Sequence, residues 1–200
     1  MQKAAVRFPL LILAILALHA CAGSRGLLLP DFPDWESRRA ALSSADRWEF
    51  TGRIGVSAGE EGFNGKLRWS QDGEGFRATV SGPLGTGSVR IEGNAEIVTV
   101  TDKKGDVTEL EDPEIDLRLR YGWTIPVTSL RYWALGIPDP SQPAESEFGE
   151  DGLIQRIEQR DWVVTISQYR DGGGQPMPRR LSARNDDAKV RLVIDKWTFY

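Results

Sequence analysis

Residues 48–100 set the architecture of this chain, and they begin with Trp48-Glu49-Phe50-Thr51-Gly52-Arg53-Ile54-Gly55-Val56. Apart from the glycines, apolar and polar side chains alternate along this run, and the alternation returns in residues 63–70, 76–81 and 89–92. Successive side chains of a β-strand point to opposite faces, so this period predicts antiparallel strands with one apolar and one polar face. Glycine-containing turns separate the segments, which predicts hairpins between neighbouring strands.

The same two-residue period extends to the end of the chain. It predicts further strands at residues 97–101, 107–110, 153–158, 162–167, 180–185 and 189–200. Trp197 and Phe199 are out of phase with the apolar residues before them, and a β-bulge in the last strand would explain the shift. Residues 170–178, which are rich in glycine and proline, are predicted to form a flexible connection, and residues 138–143 a loop.

Three short helices are predicted from residues that can cap a first turn. The caps are Asp34, Asp112 and Thr128-Ser129, the helices cover residues 34–45, 112–122 and 130–135, and Gly136 ends the third. Together, about ten strands and three helices predict a mainly β (α+β) protein. The simplest architecture is one strongly curved antiparallel sheet with helices plugging its concave side.

The first twenty residues are typical of a signal peptide. Lys3 and Arg7 precede an apolar run at residues 10–18 that is too short to span a bilayer. The run leads into Leu18-His19-Ala20-Cys21, which resembles the lipobox of bacterial lipoproteins, in which the cysteine sulfur is acylated. Cys21 is the only cysteine and therefore the predicted lipidation site, whereas a plain secretory signal with an incidental cysteine is the alternative.

The predicted domain organisation follows from this cleavage site. Residues 1–20 are the signal peptide, residues 21–33 the lipidated N-terminus and tether, and residues 34–200 a single domain. Ala22 occupies the position at which an aspartate commonly retains lipoproteins in the inner membrane. This alanine therefore resembles a sorting signal for the outer membrane. His19 departs from the lipobox pattern, which usually has a small residue at that position.

Maturation would remove the imidazole and the free thiol on which many catalytic sites depend. His19, the only histidine, would leave with the signal peptide, and acylation would block the Cys21 thiol. Triads based on histidine and the usual zinc or copper ligands are thereby excluded. A carboxylate pair for glycoside hydrolysis would survive maturation, but nothing singles out such a pair among the 29 acidic residues, so we predict no enzymatic activity, no cofactor and no metal. The acidic group Glu145, Glu147, Glu150 and Asp151 could hold calcium weakly, but a solvated face is favoured.

The charge balance argues against a nucleic-acid partner. Loss of Lys3 and Arg7 leaves 23 basic and 29 acidic residues, so the mature net charge is 23 − 29 = −6. Binding to nucleic acid depends on Lys and Arg replacing phosphate counterions, which an acidic domain without a basic run does not provide.

The seven tryptophans have two interpretations. Large aromatic side chains fill cores, which is sufficient for most of them. A curved sheet lined by aromatic and aliphatic residues is also what a pocket for acyl chains requires, because such chains need dry apolar area and few directional bonds. The candidate cavity residues are Trp48, Phe50, Ile54, Leu67, Trp69, Val80, Ile91, Leu130, Trp133, Trp162, Val164 and Ile166.

The loop Gly82-Pro83-Leu84-Gly85 places a leucine at a hairpin tip, where polar residues are usual. Leu84 could fold back as a minor core residue. Alternatively, Pro83 and Gly85 present it as an apolar wedge for a membrane or for a pocket of a partner.

Several motifs occur in an order that is specific to one family. They are the lipobox, Gly52-Arg53-Ile54-Gly55-Val56, Gly65-Lys66-Leu67-Arg68-Trp69, Gly82-Pro83-Leu84-Gly85, Gly122-Trp123-Thr124-Ile125-Pro126-Val127, Leu130-Arg131-Tyr132-Trp133-Ala134-Leu135-Gly136-Ile137-Pro138 and Asp161-Trp162-Val163-Val164. Together they resemble LolB, the family of outer-membrane lipoprotein receptors of Gram-negative bacteria. The resemblance covers nearly the whole mature chain.

This resemblance implies an unclosed antiparallel β-barrel with a lid of short helices, related to the periplasmic carrier LolA. It implies a protein on the periplasmic face of the outer membrane, held by its lipid anchor, that accepts acylated lipoproteins from a LolA-like carrier. It would insert them into the inner leaflet without nucleotide, with Leu84 matching the loop leucine that the family uses for insertion. Residues 112–122 and 128–136 would act as the lid that yields to acyl chains. We predict a monomer.

Two other classes of function remain open from the sequence. A lipidated scaffold or assembly subunit of an outer-membrane complex would use an exposed Leu84 to dock on a protein. A carbohydrate-binding module would instead expose some tryptophans for stacking on sugar rings. Uptake of a fluorescent fatty acid distinguishes the carrier from the scaffold, and acrylamide quenching of tryptophan fluorescence would reveal the third class.

Overall fold

The structure is a computed structural model that describes residues 26–82, 87–94, 96–111, 115–116 and 126–200. Within these residues, eleven strands form one antiparallel sheet with the order β6-β5-β4-β3-β2-β1-β11-β10-β9-β8-β7. The strands are β1 Arg47–Ala58, β2 Glu61–Asp72, β3 Gly75–Ser81, β4 Ser88–Gly93, β5 Val98–Thr101, β6 Val107–Leu110, β7 Glu145–Phe148, β8 Ile154–Gln159, β9 Trp162–Gly172, β10 Gln175–Arg184 and β11 Ala188–Phe199.

Every strand pair except one joins neighbours in the sequence. The exception is β1 with β11, which brings the first and last strands together in the middle of the sheet. β6 and β7 are the two edges, so the sheet is open, and the predicted unclosed antiparallel architecture is confirmed. One side of the sheet carries the core residues, and we call this side the concave face.

The last strand contains the predicted bulge. Thr51 of β1 lies opposite Lys196, but the next residue, Gly52, lies opposite Ile194, so Asp195 is the extra residue of β11. The bulge restores Trp197 and Phe199 to the concave face, where both are buried. The phase shift in the sequence therefore has the expected structural cause.

The prediction of a flexible connection at residues 170–178 is wrong. These residues form the end of β9, a tight turn and the start of β10. Gly173 and Gly174 have positive φ angles of 67° and 82°, which glycine adopts without steric cost, and this pair makes the hairpin turn. Pro176 and Pro178 are accommodated within β10, next to a register shift between residues 178 and 181.

Strand β7 was not expected from the sequence. Glu145 and Glu147, predicted to belong to a solvated acidic face, lie on this edge strand and are exposed. Arg156 of β8 lies 3.7 Å from the Glu147 carboxylate. Within the described residues, no group of histidine, cysteine, aspartate and glutamate side chains is arranged to hold a metal ion.

Two helices are described, α1 Trp35–Ser43 and α2 Val127–Leu135. The Asp34 carboxylate accepts a 2.8 Å hydrogen bond from the backbone N–H of Ser37, so the predicted cap of α1 is confirmed. Helix α2 ends at Gly136 as predicted, with a left-handed φ of 80°. Neither helix is long and apolar enough to cross a membrane.

The predicted start of α2 is wrong. The helix begins before Thr128 and Ser129, with Pro126 at the N-cap and no side-chain cap. Ser129 lies inside the helix, where its hydroxyl donates to the Asp139 carboxylate instead of to the helix end. Of the helix predicted at residues 112–122, residues 115 and 116 are helical and the others lie outside the described residues.

The Asp34 cap predicts a pH-dependent contribution to stability. The backbone N–H of Ser37 holds the pKa of Asp34 below the ordinary value of 3.8, because it stabilises the carboxylate. A group with a lowered folded-state pKa stabilises the fold above its unfolded pKa, and this stabilisation is lost as pH falls through the folded pKa. We expect the urea midpoint of wild type to fall slightly more between neutral pH and pH values below 3.8 than that of Asp34→Asn.

Asparagine is the matched control, since it caps helices as well as aspartate does but carries no titrating charge. Equal losses of stability on acidification in the two proteins would contradict this role of Asp34.

Candidate functional site

The predicted cavity residues lie together on the concave face. Ten of the twelve are buried: Trp48, Phe50, Ile54, Leu67, Trp69, Leu130, Trp133, Trp162, Val164 and Ile166. Val80 and Ile91 are half-buried and pack against the same cluster. Ten of the twelve come from the sheet and the other two from α2, so the sheet and this helix together enclose one apolar region.

Aromatic rings form a continuous layer across the middle of the sheet. The Phe50 ring centroid lies 6.2 Å from that of Trp69 in β2 and 5.1 Å from that of Trp197 in β11. The Trp69 ring lies 5.1 Å from that of Phe76 in β3. Register explains the first contact, because Phe50 and Trp69 are directly opposite each other. The layer gives the site a wide, dry floor.

The apolar face becomes progressively more accessible toward β4. Leu67, Val80 and Val89 are cross-strand partners on β2, β3 and β4, so their side chains lie in one row. Leu67 is 4% exposed, Val80 is half-buried and Val89 is 37% exposed. This row ends beside the connection between β3 and β4, which contains Leu84. The concave face is therefore accessible from solvent at this margin.

Helix α2 is fixed to the sheet by buried polar contacts. Trp133 is fully buried, its ring lies 6.0 Å from that of Trp162, and its Nε1 donates a 2.9 Å hydrogen bond to Gln159. The Gln159 Oε1 also accepts from the backbone N–H of Asp139, while its Nε2 donates to the carbonyls of Asp139 and Gln142. One buried amide thus joins the helix, the loop after it and strand β8.

A second buried contact fastens the start of the same helix. The Ser129 hydroxyl, fully buried, donates a 2.8 Å hydrogen bond to the Asp139 carboxylate. That carboxylate also accepts from the backbone N–H and the hydroxyl of Ser141. The hydrogen-bonding capacity of these buried groups is satisfied only while α2 stays in place.

Helix α1 is held to the sheet by Arg38. This side chain is buried, donates to the carbonyl of Pro176 and lies over the Phe32 ring at 5.3 Å. Burial lowers the pKa of the Arg38 guanidinium from its ordinary value, because the charged form loses its water. Burial likewise raises the pKa of Tyr169, whose hydroxyl donates a 2.6 Å hydrogen bond to the carbonyl of Ile154.

Comparison with known proteins assigns the family. A family model described as outer membrane lipoprotein LolB matches residues 46–197. This chain belongs to the LolB family. It is 31% identical over 194 residues to an outer-membrane lipoprotein LolB of Nitrosococcus oceani, and the aligned region covers 96% of each chain. It is 30% identical over 193 residues to the protein of that name from Cellvibrio japonicus, with 94% of each chain covered. Membership confirms the resemblance and places this chain among the lipid-anchored proteins of the outer membrane.

Solved structures support the fold of this LolB family member. A LolA superfamily protein of Nitrosomonas europaea superposes with a TM-score of 0.53 at 7% identity, covering 78% of this chain and 87% of the other. A putative outer membrane lipoprotein-sorting protein domain of Vibrio parahaemolyticus gives a TM-score of 0.52 at 10% identity, covering 82% and 89%. At these identities the likeness concerns the fold alone.

Some predicted site residues lie outside the described residues. These are the lipidation site Cys21 and the insertion-loop residues Pro83, Leu84 and Gly85. The described ends of the loop are close together, since the backbone N–H of Gly82 donates a 3.2 Å hydrogen bond to the carbonyl of Gly87. The roles of Cys21 and Leu84 in this LolB family member stay predictions, as does the role of the cavity residues in holding acyl chains.

Sequence reasoning missed several residues that shape this LolB site. Phe76 and Trp197 belong to the aromatic layer but were not among the candidates. Both could have been found, Phe76 from the alternation of β3 and Trp197 from the predicted bulge. Gln159 could not, because a single glutamine at the end of a strand carries no local signal of its contact with Trp133, 26 residues earlier.

Proposed function

We propose that this chain is an outer-membrane lipoprotein receptor. It accepts acylated lipoproteins from a LolA-like periplasmic carrier and inserts them into the inner leaflet of the outer membrane. The observation that carries the proposal is the apolar concave face of an open sheet, which is accessible along the row from Leu67 to Val89. Family membership supports the same role.

The open sheet suits acyl chains for a physical reason. Exposure of hydrocarbon to water costs about 0.8 kcal/mol for each CH₂ group, so cargo must pass between dry surfaces without crossing the periplasm unprotected. A broad floor of aromatic and aliphatic side chains offers such a surface and demands little directional bonding. Because the chain binds no nucleotide in this proposal, each transfer step runs toward the site of higher affinity.

The two predicted lid segments have different parts in this proposal. Movement of α2 would break the hydrogen bonds of Gln159 and Ser129, and buried groups that lose their partners cost about 1–3 kcal/mol each. We therefore assign α2 to the fixed wall of the site. The other predicted lid segment, residues 112–122, is the one that would yield to the incoming chains.

Substitution of Leu84 tests the insertion step. We expect Leu84→Glu to leave folding and cargo acceptance near normal and to slow delivery to liposomes by at least about tenfold. The physical reason is that placing a charged side chain in a bilayer costs about 2.5–3.5 kcal/mol even on the scale with the smallest penalties. Delivery is measured by following a lipoprotein from the carrier through this protein to liposomes that are separated by flotation.

The control is Leu84→Met, which keeps an apolar side chain of similar volume and should deliver at the rate of wild type. Normal delivery by Leu84→Glu would remove Leu84 from the mechanism.

Binding of a fluorescent fatty acid separates this receptor from a lipidated scaffold. We expect the probe to gain fluorescence on the protein and to be displaced by acylated lipoprotein. A scaffold that uses its apolar loop only to dock on a protein would take up little probe, and that result would overturn the proposed function.

A further inference from the structure

The residues before the first helix are hydrogen-bonded to the sheet. Residues 26–29, which we call the N-terminal strap, run beside the end of β11 and the turn between β9 and β10. The backbone N–H of Leu27 donates a 2.7 Å hydrogen bond to the carbonyl of Phe199, and that of Leu29 donates a 2.7 Å bond to the carbonyl of Gly173. The strap is therefore part of the folded structure, although residues 21–33 were predicted as a tether.

A glycine makes room for this strap. A Cβ atom on Gly26 would lie 2.9 Å from the Thr198 side chain, and one on Gly173 would lie 2.9 Å from the Phe199 ring. Neither distance is tolerated between real carbon atoms. A side chain at position 26 would therefore force the strap away from β11, whereas the clash at position 173 is with Phe199 of the sheet itself.

The strap presents two leucines to solvent. Leu29 is half-buried against the core, whereas Leu27 is 61% exposed and Leu28 is 79% exposed. Tyr200, 45% exposed, follows the strand residue that binds Leu27, and the Arg47 guanidinium lies over its ring at 5.7 Å. Apolar side chains beside tyrosine and arginine are the composition found where proteins meet the membrane interface.

The length of chain before the strap places this surface near the bilayer. Leu27 is the sixth residue after Cys21, and a fully extended chain of that length spans at most about 20–22 Å. A free tether from Cys21 to Asp34 would have thirteen residues and span up to about 43–47 Å. The two hydrogen bonds of the strap therefore shorten the reach of the domain from its anchor by about half.

We infer that the strap leucines and Tyr200 form a membrane-contact surface, and that its occupant is the phospholipid bilayer that holds the acyl chains of Cys21. This inference rests on the lipidation of Cys21 that belongs to the proposed function. Beyond the proposed function, the inference specifies how the protein is oriented at rest: the end of the sheet that contains Phe199 and Gly173 faces the lipid. The surface is separate from the predicted insertion loop, which follows Ser81, at the level of Arg53 on β1.

Depth-dependent quenching tests this orientation on the lipidated full-length protein in vesicles of phosphatidylethanolamine and phosphatidylglycerol. Acylation leaves no free thiol, so a single introduced cysteine carries a fluorophore. The sites are Leu28→Cys on the strap, Asp171→Cys on exposed β9 beside the strap, and Thr165→Cys on the exposed outer face of β9. We expect lipids that carry a nitroxide to quench the first two labels several-fold more strongly than the third.

A second variant tests whether the seated strap sets the orientation. Gly26→Val unseats the strap, so quenching at residue 171 should fall to the level at residue 165 while quenching at residue 28 persists. An unquenched label at residue 28, equal quenching at residues 171 and 165, or no effect of Gly26→Val would each overturn the inference.

The same samples separate this inference from the proposed function. Mass spectrometry reports acylation of Cys21, and the flotation assay reports delivery of cargo. An acylated protein that delivers cargo while residue 28 stays in water defeats the membrane-contact surface alone. A quenched label at residue 28 without delivery defeats the receptor function alone.

Discussion

Gly52→Ala is expected to destabilise the protein by at least about 3 kcal/mol, the upper end of the usual cost of overpacking. Gly52 lies opposite the bulge of β11, where a Cβ atom would stand 2.2 Å from the Val193 carbonyl oxygen and 3.0 Å from the Ile194 Cα. Both are backbone atoms of a strand in the middle of the sheet, so they cannot move without disturbing its hydrogen bonds. The midpoint of urea unfolding measures the loss.

Gly55 provides the matched control within the same strand. A Cβ atom there meets nothing within 4 Å. Gly55→Ala should therefore be neutral or stabilise the protein by up to about 1 kcal/mol, since glycine in a strand interior is entropically unfavourable. If the two variants unfolded at the same urea concentration, the contact with the bulge would not be what requires glycine at position 52.

The strands were predictable because their signal is local. Half-buried antiparallel strands place every second side chain in the core, so the alternation of apolar and polar residues in β1 to β3 identifies the buried side chains directly. Even the bulge at Asp195 was visible, since one extra residue inverts the phase of Trp197 and Phe199. The Asp34 cap was visible for the same reason, because its hydrogen bond spans only three residues.

The errors occurred where the local signal was weak or ambiguous. Residues 170–178 contain enough glycine and proline to suggest a loop, yet Gly173-Gly174 is also a good hairpin turn, and the two strands that flank it pair with each other. β7 has four residues on a sheet edge, with charges that suit solvent. Thr128-Ser129 resembled a cap, but Ser129 is used for a contact with Asp139 that no helix rule describes.

The sequence was enough to predict which apolar residues form the candidate site. It was not enough to predict which segments around them are fixed and which can move. Alternation identifies which side chains share the concave face, and the structure brings the twelve candidates into one cluster. Whether a segment beside that face is fixed or able to move depends on long-range polar contacts. Gln159 reaches Trp133 of α2, and a pattern of hydrophobicity contains no information about that hydrogen bond.

Replacement of Gln159 by leucine is expected to lower stability by about 3 kcal/mol, or the melting temperature by roughly 6–12 °C. The side chain is 4% exposed and takes part in four hydrogen bonds. Leucine has a similar size but leaves the donors of Trp133 Nε1 and the Asp139 backbone without a partner, and each buried orphan costs about 1–3 kcal/mol. Differential scanning calorimetry measures the change.

Gln168→Leu is the matched control for this variant, because Gln168 is exposed and accepts a hydrogen bond from Arg180 at the surface of β9 and β10. It should change the melting temperature little, since water replaces the lost partner.

The fatty-acid probe gives a second comparison of Gln159→Leu with Gln168→Leu. If α2 is a fixed wall, Gln159→Leu should bind the probe less tightly than Gln168→Leu, because a loosened wall exposes the apolar face to water. Tighter binding by Gln159→Leu would instead show that α2 normally blocks the site and must open, which would return the whole of residues 128–136 to the moving lid.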